Sequence, residues 1–220
     1  PFKVVAGKDE YTADTVIVTT GSSARWLGLP DEEKFMGKGL SACATCDGFF
    51  FRDQEIAVVG GGDTALEEAT FLTNFGKKVT LIHRRDEFRG SKIMRQRALD
   101  NEKVDVAWNS VIESYLPDEN GNLKGLLLKD TVDGSTRELA VTGCFIAIGH
   151  VPNTQFLDGQ LDTDENGYLV TKPNVTATNV EGVFAAGDVQ DHVYRQAITS
   201  AGTGCMAAIE AERWMAEKGL

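Results

Sequence analysis

The stretch EIAVVGGGDTALEEATFLTNFG, residues 55–76, constrains this chain more than any other. An apolar run at 55–60 meets three consecutive glycines. Beyond them Ala65, Ala69 and Leu72 recur on one helical face, and Gly76 is a natural stop. KVTLIHRRDEFRG follows, with a strand at 79–83 and a basic tail. Strand, glycine-rich turn, helix and strand in that order make a βαβ unit, so the fold class is α/β. The glycines have the spacing Gly60-x-Gly62-x-x-Ala65. In a dinucleotide-binding turn Gly60 permits the tight bend, Gly62 lets the backbone approach a pyrophosphate, and Ala65 lets helix and strand pack closely. The helix start at Asp63, Thr64 and Ala65 offers N–H groups and the positive end of the helix dipole to phosphate.

A site for NAD places Asp or Glu about 20 residues past the glycines, on the ribose 2′-hydroxyl. This chain places His83, Arg84 and Arg85 there, with Arg89 one turn on. The chain as a whole is acidic: 22 basic and 33 acidic side chains leave 22 − 33 = −11. A local basic cluster on such a chain suits a 2′-phosphate, which Arg binds through paired N–H bonds, and so points to NADPH over NADH. The competing reading is a solvated turn whose arginines pair with Asp86 and Glu87. The acidic balance argues against nucleic acid or an anionic membrane as the main partner. No apolar run reaches the ~18 residues of a membrane span, and no signal peptide opens the chain. The sequence begins without Met, directly in strand-like residues, which suggests a fragment of a longer protein.

Elsewhere, 14–20 reads as a buried strand ending at Gly21, and 141–150 echoes it, a hint of two related nucleotide-binding halves. Residues 104–115 and 123–131 read as antiparallel strands around the turn DENGN. Residues 179–189 read as strand then loop, and 197–217 as a long helix with Ala201, Cys205, Ala208 and Trp214 on or near its apolar side.

Four cysteines, Cys43, Cys46, Cys144 and Cys205, do not make a disulfide scaffold in 220 residues, and a cytoplasmic, reducing compartment is the default. Cys43 and Cys46 are separated by two residues, which can bring their Cα atoms to roughly 5–6 Å, within disulfide reach. Asp47, adjacent, can move a proton during thiol exchange. A zinc site would need two more ligands, and His83, His150 and His192 show no matching spacing, so no metal is expected. Cys144 and Cys205 read as buried small hydrophobes. A nicotinamide gives two electrons as hydride, whereas a disulfide opens by attack at sulfur. A flavin links the two chemistries, so a flavin site is expected as well.

The segments SACATCDGFFFRDQEIAVVGGGDTALEEA, HRRDEFR, AIGHVPNT and GVFAAGDVQDHVYRQAITSAGTGCMAAIEAERW resemble the low-molecular-weight thioredoxin reductases of bacterial and plant type, over essentially the whole chain. The resemblance implies two doubly wound, Rossmann-like nucleotide-binding domains. Residues 1–24 would end the first FAD-domain segment, 25–151 would form an inserted NADPH domain carrying the CxxC, and 152–220 would return to the FAD domain. It makes Asp188 the acid for the ribityl region of FAD. Arg195, Gln196 and Ala197 become contacts of the flavin ring, with Thr20 and Gly21 from the earlier loop. Gly187, Val189, Asp191, His192 and Tyr194 fall in the same flavin-site loop. The family's N-terminal βαβ unit for the ADP half of FAD has no counterpart here, so the FAD domain is expected to be incomplete. The implied route runs from NADPH to FAD, to Cys43–Cys46, to a thioredoxin disulfide, in a homodimer, with Cys46 leaning to the flavin side. Rival readings are an NADH-linked flavoprotein of alkyl hydroperoxide systems, a carrier-reducing flavoprotein without dithiol chemistry, and a noncatalytic NADP-binding module.

Overall fold

Apolar residues at successive positions demand burial on both sides of a strand, and the run 55–59 receives it. The computed structural model describes residues 1–220 as two units, a flanking unit of 1–24 with 150–220 and a central unit of 25–149. The flanking unit begins with β1 (Phe2–Ala6), β2 (Asp9–Ala13), β3 (Val16–Val18) and β4 (Ser22–Ala24). The central unit has strands β5 (Leu40–Ser41), β6 (Glu55–Val59), β7 (Lys78–Ile82), β8 (Val104–Ala107), β9 (Ser110–Pro117), β10 (Leu123–Asp130), β11 (Thr136–Leu139) and β12 (Gly143–Ile146). Its helices are α1 (Glu32–Phe35), α2 (Ala44–Asp47), α3 (Asp63–Leu72) and α4 (Lys92–Leu99). The flanking unit resumes with β13 (His150–Pro152), β14 (Val183–Ala185) and α5 (Ala197–Lys218).

The central sheet has the order β5-β12-β6-β7-β8, and every neighbouring pair is parallel. Its side chains alternate between two cores, as the period of two requires. Ile56, Val58 and Phe145 face Ala65, Leu66, Ala69 and Leu72 of α3. Ala57, Val59, Cys144 and Ile146 face Ile112, Leu126 and Leu128 of a three-stranded antiparallel sheet, β11-β10-β9. Because all five strands run the same way, their C-terminal ends share one edge. That edge carries Ser41–Cys43, Gly60–Gly62, His83–Arg85 and Ala147–Gly149, and ligand sites of open parallel sheets form at such edges.

Several expectations from sequence change here. Residues 104–115 are two strands, not one: β8 joins the parallel sheet and β9 the antiparallel one. Asn109, at φ 48°, makes the turn between them in the left-handed region that Asn tolerates. The strand expected at 14–20 is only Val16–Val18, paired in parallel with β14. The second crossing between units falls at 149/150 rather than 151/152, because His150 and Val151 belong to β13, which pairs with β4. Helix α5 buries Ala207 and Ala211 against Phe184 and Ala186, while Ala201, Cys205 and Ala208 are exposed. Small residues surround this helix on all sides, so its sequence carries a weak amphipathic signal. Cys205 is therefore not a buried hydrophobe, whereas Cys144 is fully buried. No helix is long and apolar enough to cross a membrane.

Candidate active site

The glycine turn is shaped by what each Cβ would meet. A side chain at Gly60 would come within 2.6 Å of both the Ala147 carbonyl and the Ala65 Cβ, so strand, turn and helix close up here only without one. At Gly61 a Cβ would collide with the His83 ring. At Gly62 nothing lies within 4 Å, and no side chain caps α3. The first turn of α3, which starts with exposed Asp63 and half-buried Thr64, therefore keeps its N–H groups free of any side-chain cap, the arrangement that receives an anion.

The basic loop is stitched to this turn. Gly61 O accepts N–H bonds from Arg89 at 2.8 Å and Gly90 at 3.0 Å. The Asp63 carboxylate accepts from the Ser91 N–H at 2.8 Å, a bond that holds its pKa below the ordinary value. Asp63 therefore serves the loop, a role the sequence did not show. His83 is buried, with Nδ1 3.0 Å from Gly60 O and Nε2 3.0 Å from Glu87 O. Each tautomer of the neutral ring has one N–H, so it donates to one of these two carbonyls and only packs against the other; His83 thus ties the glycine turn to the loop while also lining the cavity beside them. Arg84, Arg85 and Arg89 are exposed. None pairs with an acid: Glu87 pairs with Arg95 instead. The solvated-turn alternative required pairs with Asp86 and Glu87, and those do not form. A cavity of about 720 Å³, lined within the central unit, joins the two features. Thr64, His83, Arg84, Arg85 and Arg89 are among its polar lining, and Leu27, Leu29, Ile112 and Ile148 among its apolar lining. Its size lies within the ordinary range for small-molecule sites, and its donors and cations fit a phosphorylated dinucleotide.

Cys43 and Cys46 form a disulfide, with Cα atoms 5.3 Å apart. Cys43 sits at the N-cap of the short α2, where its Sγ accepts the Cys46 N–H at 3.2 Å and lies 3.4 Å from Thr45 Oγ1. Ser41, which sequence reasoning passed over, links the pair to Asp47. Its hydroxyl accepts the Cys43 N–H at 3.0 Å and donates to Asp47 Oδ2 at 2.6 Å. The signal available for it was a Ser two residues before a helix-capping position. Immediately beyond, Phe49 and Phe50 are 59% and 71% exposed, with the Arg52 guanidinium 4.7 Å above the Phe49 ring. No group of three or more His, Cys, Asp or Glu is arranged to hold a metal ion.

In the flanking unit, 187–197 folds as a short 3-10 turn, a loop and the start of α5. Ser200 Oγ donates to Asp188 Oδ1 at 2.9 Å. Asp191 accepts the N–H groups of Val193, Tyr194 and Arg195. Burial pushes its carboxyl up, but those bonds and the Thr199 hydroxyl together hold it below the usual range. Asp191 thus organises the loop that presents exposed His192 and Tyr194, half-buried Arg195 and Gln196, and exposed Ala197. Gln196 caps α5 in a box with Thr199. Gly187, whose N–H binds Thr203 Oγ1, and buried Val189 complete the turn. On the earlier loop Thr20 Oγ1 donates to Asn153 O at 2.7 Å, and Gly21 O accepts the Asn153 N–H at 3.0 Å. Two buried polar atoms of this unit, Ser22 Oγ and His150 Nδ1, have no partner. Burial and then the Arg195 cation lower the pKa of His150, partly opposed by Asp188.

Known proteins share this arrangement. The family model described as pyridine nucleotide-disulphide oxidoreductase matches residues 2–204. A thioredoxin reductase of Streptomyces clavuligerus is 59% identical over 206 residues, 94% of this chain and 63% of that protein. Thioredoxin reductase 2 of Arabidopsis thaliana is 54% identical, over 100% of this chain and 59% of its own length. The chain thus spans about six tenths of these relatives. The crystal structure of thioredoxin reductase from Streptococcus pyogenes superposes with a TM-score of 0.92 at 40% identity, covering 98% of this chain and 70% of that one.

Proposed function

Because this chain belongs to the pyridine nucleotide-disulphide oxidoreductase family, and within it to the thioredoxin reductases, we propose that it carries the NADPH site and the redox pair of an enzyme that reduces a thioredoxin disulfide. One observation carries this reading: a glycine turn joined to a basic loop, and a disulfide, stand on the same C-terminal edge of one parallel sheet. NADPH is held by the Gly60–Gly62 turn and the N–H groups of Asp63, Thr64 and Ala65, with Arg84, Arg85 and Arg89 on the 2′-phosphate. FAD is held in part by Thr20, Gly21 and the loop from Gly187 to Ala197. When bound, a flavin supplies the two-electron link between a nicotinamide hydride and a sulfur–sulfur bond.

The chain's own groups account for the thiol steps. Two electrons and two protons open Cys43–Cys46 to a dithiol. The Cys46 N–H and the Thr45 hydroxyl beside Cys43 Sγ favour a thiolate there. That thiolate attacks one sulfur of the partner's disulfide, and the first partner thiolate leaves. Cys46 then attacks Cys43 Sγ, the Cys43–Cys46 bond re-forms, and the second partner thiolate leaves. Both leaving thiolates take protons, and Asp47, next to Cys46 in the chain and held by the Ser41 hydroxyl, is the candidate to move one of them. Exposed Phe49 and Phe50 offer a protein substrate an apolar landing beside the pair. A homodimer of the complete protein is supported by exposed Ile198, Met206 and Ile209 on α5.

The test is stopped-flow reduction of the complete, FAD-loaded enzyme containing this chain. Cys43→Ser or Cys46→Ser is expected to leave flavin reduction by NADPH intact and to abolish thioredoxin turnover. Sustained turnover in either variant would remove the pair from the reaction.

A further inference from the structure

Glu32 is 5% exposed, and no basic side chain pairs with it. A buried carboxylate costs several kcal/mol unless every lone pair is met. Here three donors meet it. The Leu27 N–H reaches Oε1 at 3.2 Å, the Gly28 N–H reaches Oε2 at 2.8 Å, and the Tyr115 hydroxyl reaches Oε1 at 2.6 Å. These donors come from two segments whose neighbouring residues line the cavity. Leu27 and Leu29 line it from the irregular segment that opens the central unit. Ile112 lines it from β9, three residues before Tyr115. Ile112 and Tyr115 both turn inward because the register slips between Leu127 and Leu128, which reverses the alternation of β9 at Glu113. Burial first, then the bond to Glu32, raises the pKa of Tyr115, so it remains a donor throughout the working pH range.

We propose that Glu32 is a positioning residue for the dinucleotide: it locks the Leu27–Gly28 peptides to Tyr115, and so fixes Leu27, Leu29 and Ile112 as one preformed apolar bed for a flat ring of the bound cofactor. The segment 25–29 has no helix or strand of its own to hold it. Without the carboxylate its two N–H groups lose their partners, and the bed must be ordered at the moment of binding, at a cost in affinity. The inference rests on the reading of this cavity as the NADPH site.

The experiment titrates NADP⁺ into the 220-residue chain by calorimetry, with hydrogen exchange read at the Leu27 and Gly28 amides. Tyr115→Phe, nearly isosteric, and Glu32→Gln are expected to raise Kd about 3- to 10-fold, the worth of one or two lost hydrogen bonds, and to speed exchange at both amides. Val141→Ala, in the same core but away from the cavity, is the control. It is expected to lower the thermal midpoint and leave Kd within about twofold. Unchanged Kd in both Tyr115→Phe and Glu32→Gln would overturn the inference, and so would an equal rise in Val141→Ala. Arg84→Ala/Arg85→Ala tests the site itself: if that variant binds NADP⁺ normally, the cavity reading falls and the role of Glu32 with it.

Discussion

In the proposed NADPH site, Arg84 and Arg85 are the residues on which cofactor choice would turn. Their guanidinium groups are unpaired while their backbone is pinned, Arg84 O by the Thr131 hydroxyl at 3.2 Å and Arg85 O by the Asn109 N–H at 3.2 Å. They are held ready without being occupied by a competing acid. Each charged hydrogen bond to a 2′-phosphate is worth about 1.5–3 kcal/mol, so Arg84→Ala/Arg85→Ala is expected to weaken NADPH by roughly 10-fold or more. NADH, which lacks that phosphate, is expected to change little. Steady-state KM values for the two cofactors check this, and equal losses would end the assignment. At the same scale, the two free cysteines part company. Burial pushes the Cys144 thiol well above its ordinary pKa, whereas Cys205 is exposed. An aromatic disulfide reagent is expected to label one thiol per native chain with Cys43–Cys46 oxidised, and the second only on unfolding.

Among elements, the glycine turn and the basic loop behave as one piece, because His83, Arg89, Gly90 and Ser91 all bond back to Gly60, Gly61 or Asp63. Gly61→Ala would drive a methyl into the His83 ring, an overpacking error costing about 1–3 kcal/mol. Since ring and methyl meet directly, the cost is expected to shrink when His83 is first shortened to Ala, and a double-mutant cycle on thermal stability reads that coupling. The loop 191–195 has a different weakness. The folded pKa of Asp191 is depressed, so its contribution is present above about pH 4 and is lost as pH falls through the folded value. Amide exchange at Val193 and Tyr194 is expected to quicken on acidification, and Asp191→Ala to show the fast exchange already at neutral pH.

On the scale of the whole molecule, the central unit closes its cores within residues 25–149, and the glycine turn, the basic loop and the cysteine pair belong to it. Expressed alone, that unit is expected to fold, and to gain about 2.7 kcal/mol of stability at NADP⁺ concentrations 100 times Kd. The flanking unit pairs its strands only two by two, and sheets that small are marginal without further partners. The 220-residue chain by itself is therefore expected to bind 2′,5′-ADP yet to purify without stoichiometric flavin. A yellow preparation with one FAD per chain would contradict this. His150, with its pKa lowered by burial and Arg195, adds a pH signature to the flanking unit. Its contribution is full above about pH 6.5 and is lost as pH falls toward the folded value. His150→Asn is expected to flatten the acid limb of thermal stability.

What the sequence determined by itself was local. The βαβ unit was legible because an apolar strand, a glycine turn and a helical period lie in one continuous stretch. The cysteine pair was legible because two intervening residues fix its reach. The position of Arg84 and Arg85 followed from a count along the same unit. Tertiary structure decided what depends on partners far along the chain. The split of 104–115 between two sheets follows from which neighbours β8 and β9 find, not from their own residues. Pairing of β4 with β13, which moves a unit boundary, joins segments more than a hundred residues apart. His83, read as a phosphate ligand, also lies between the Gly60 and Glu87 carbonyls, a bracing position that only the fold creates. Helix α5 shows small residues on every side, so only packing against Phe184 and Ala186 chooses the face it buries. Glu32 reads as one acid among 33. Its place beside Tyr115, 83 positions away, exists only once β9 lies across the loop, since a carboxylate's partners are set by distance in space and no pattern in sequence records them.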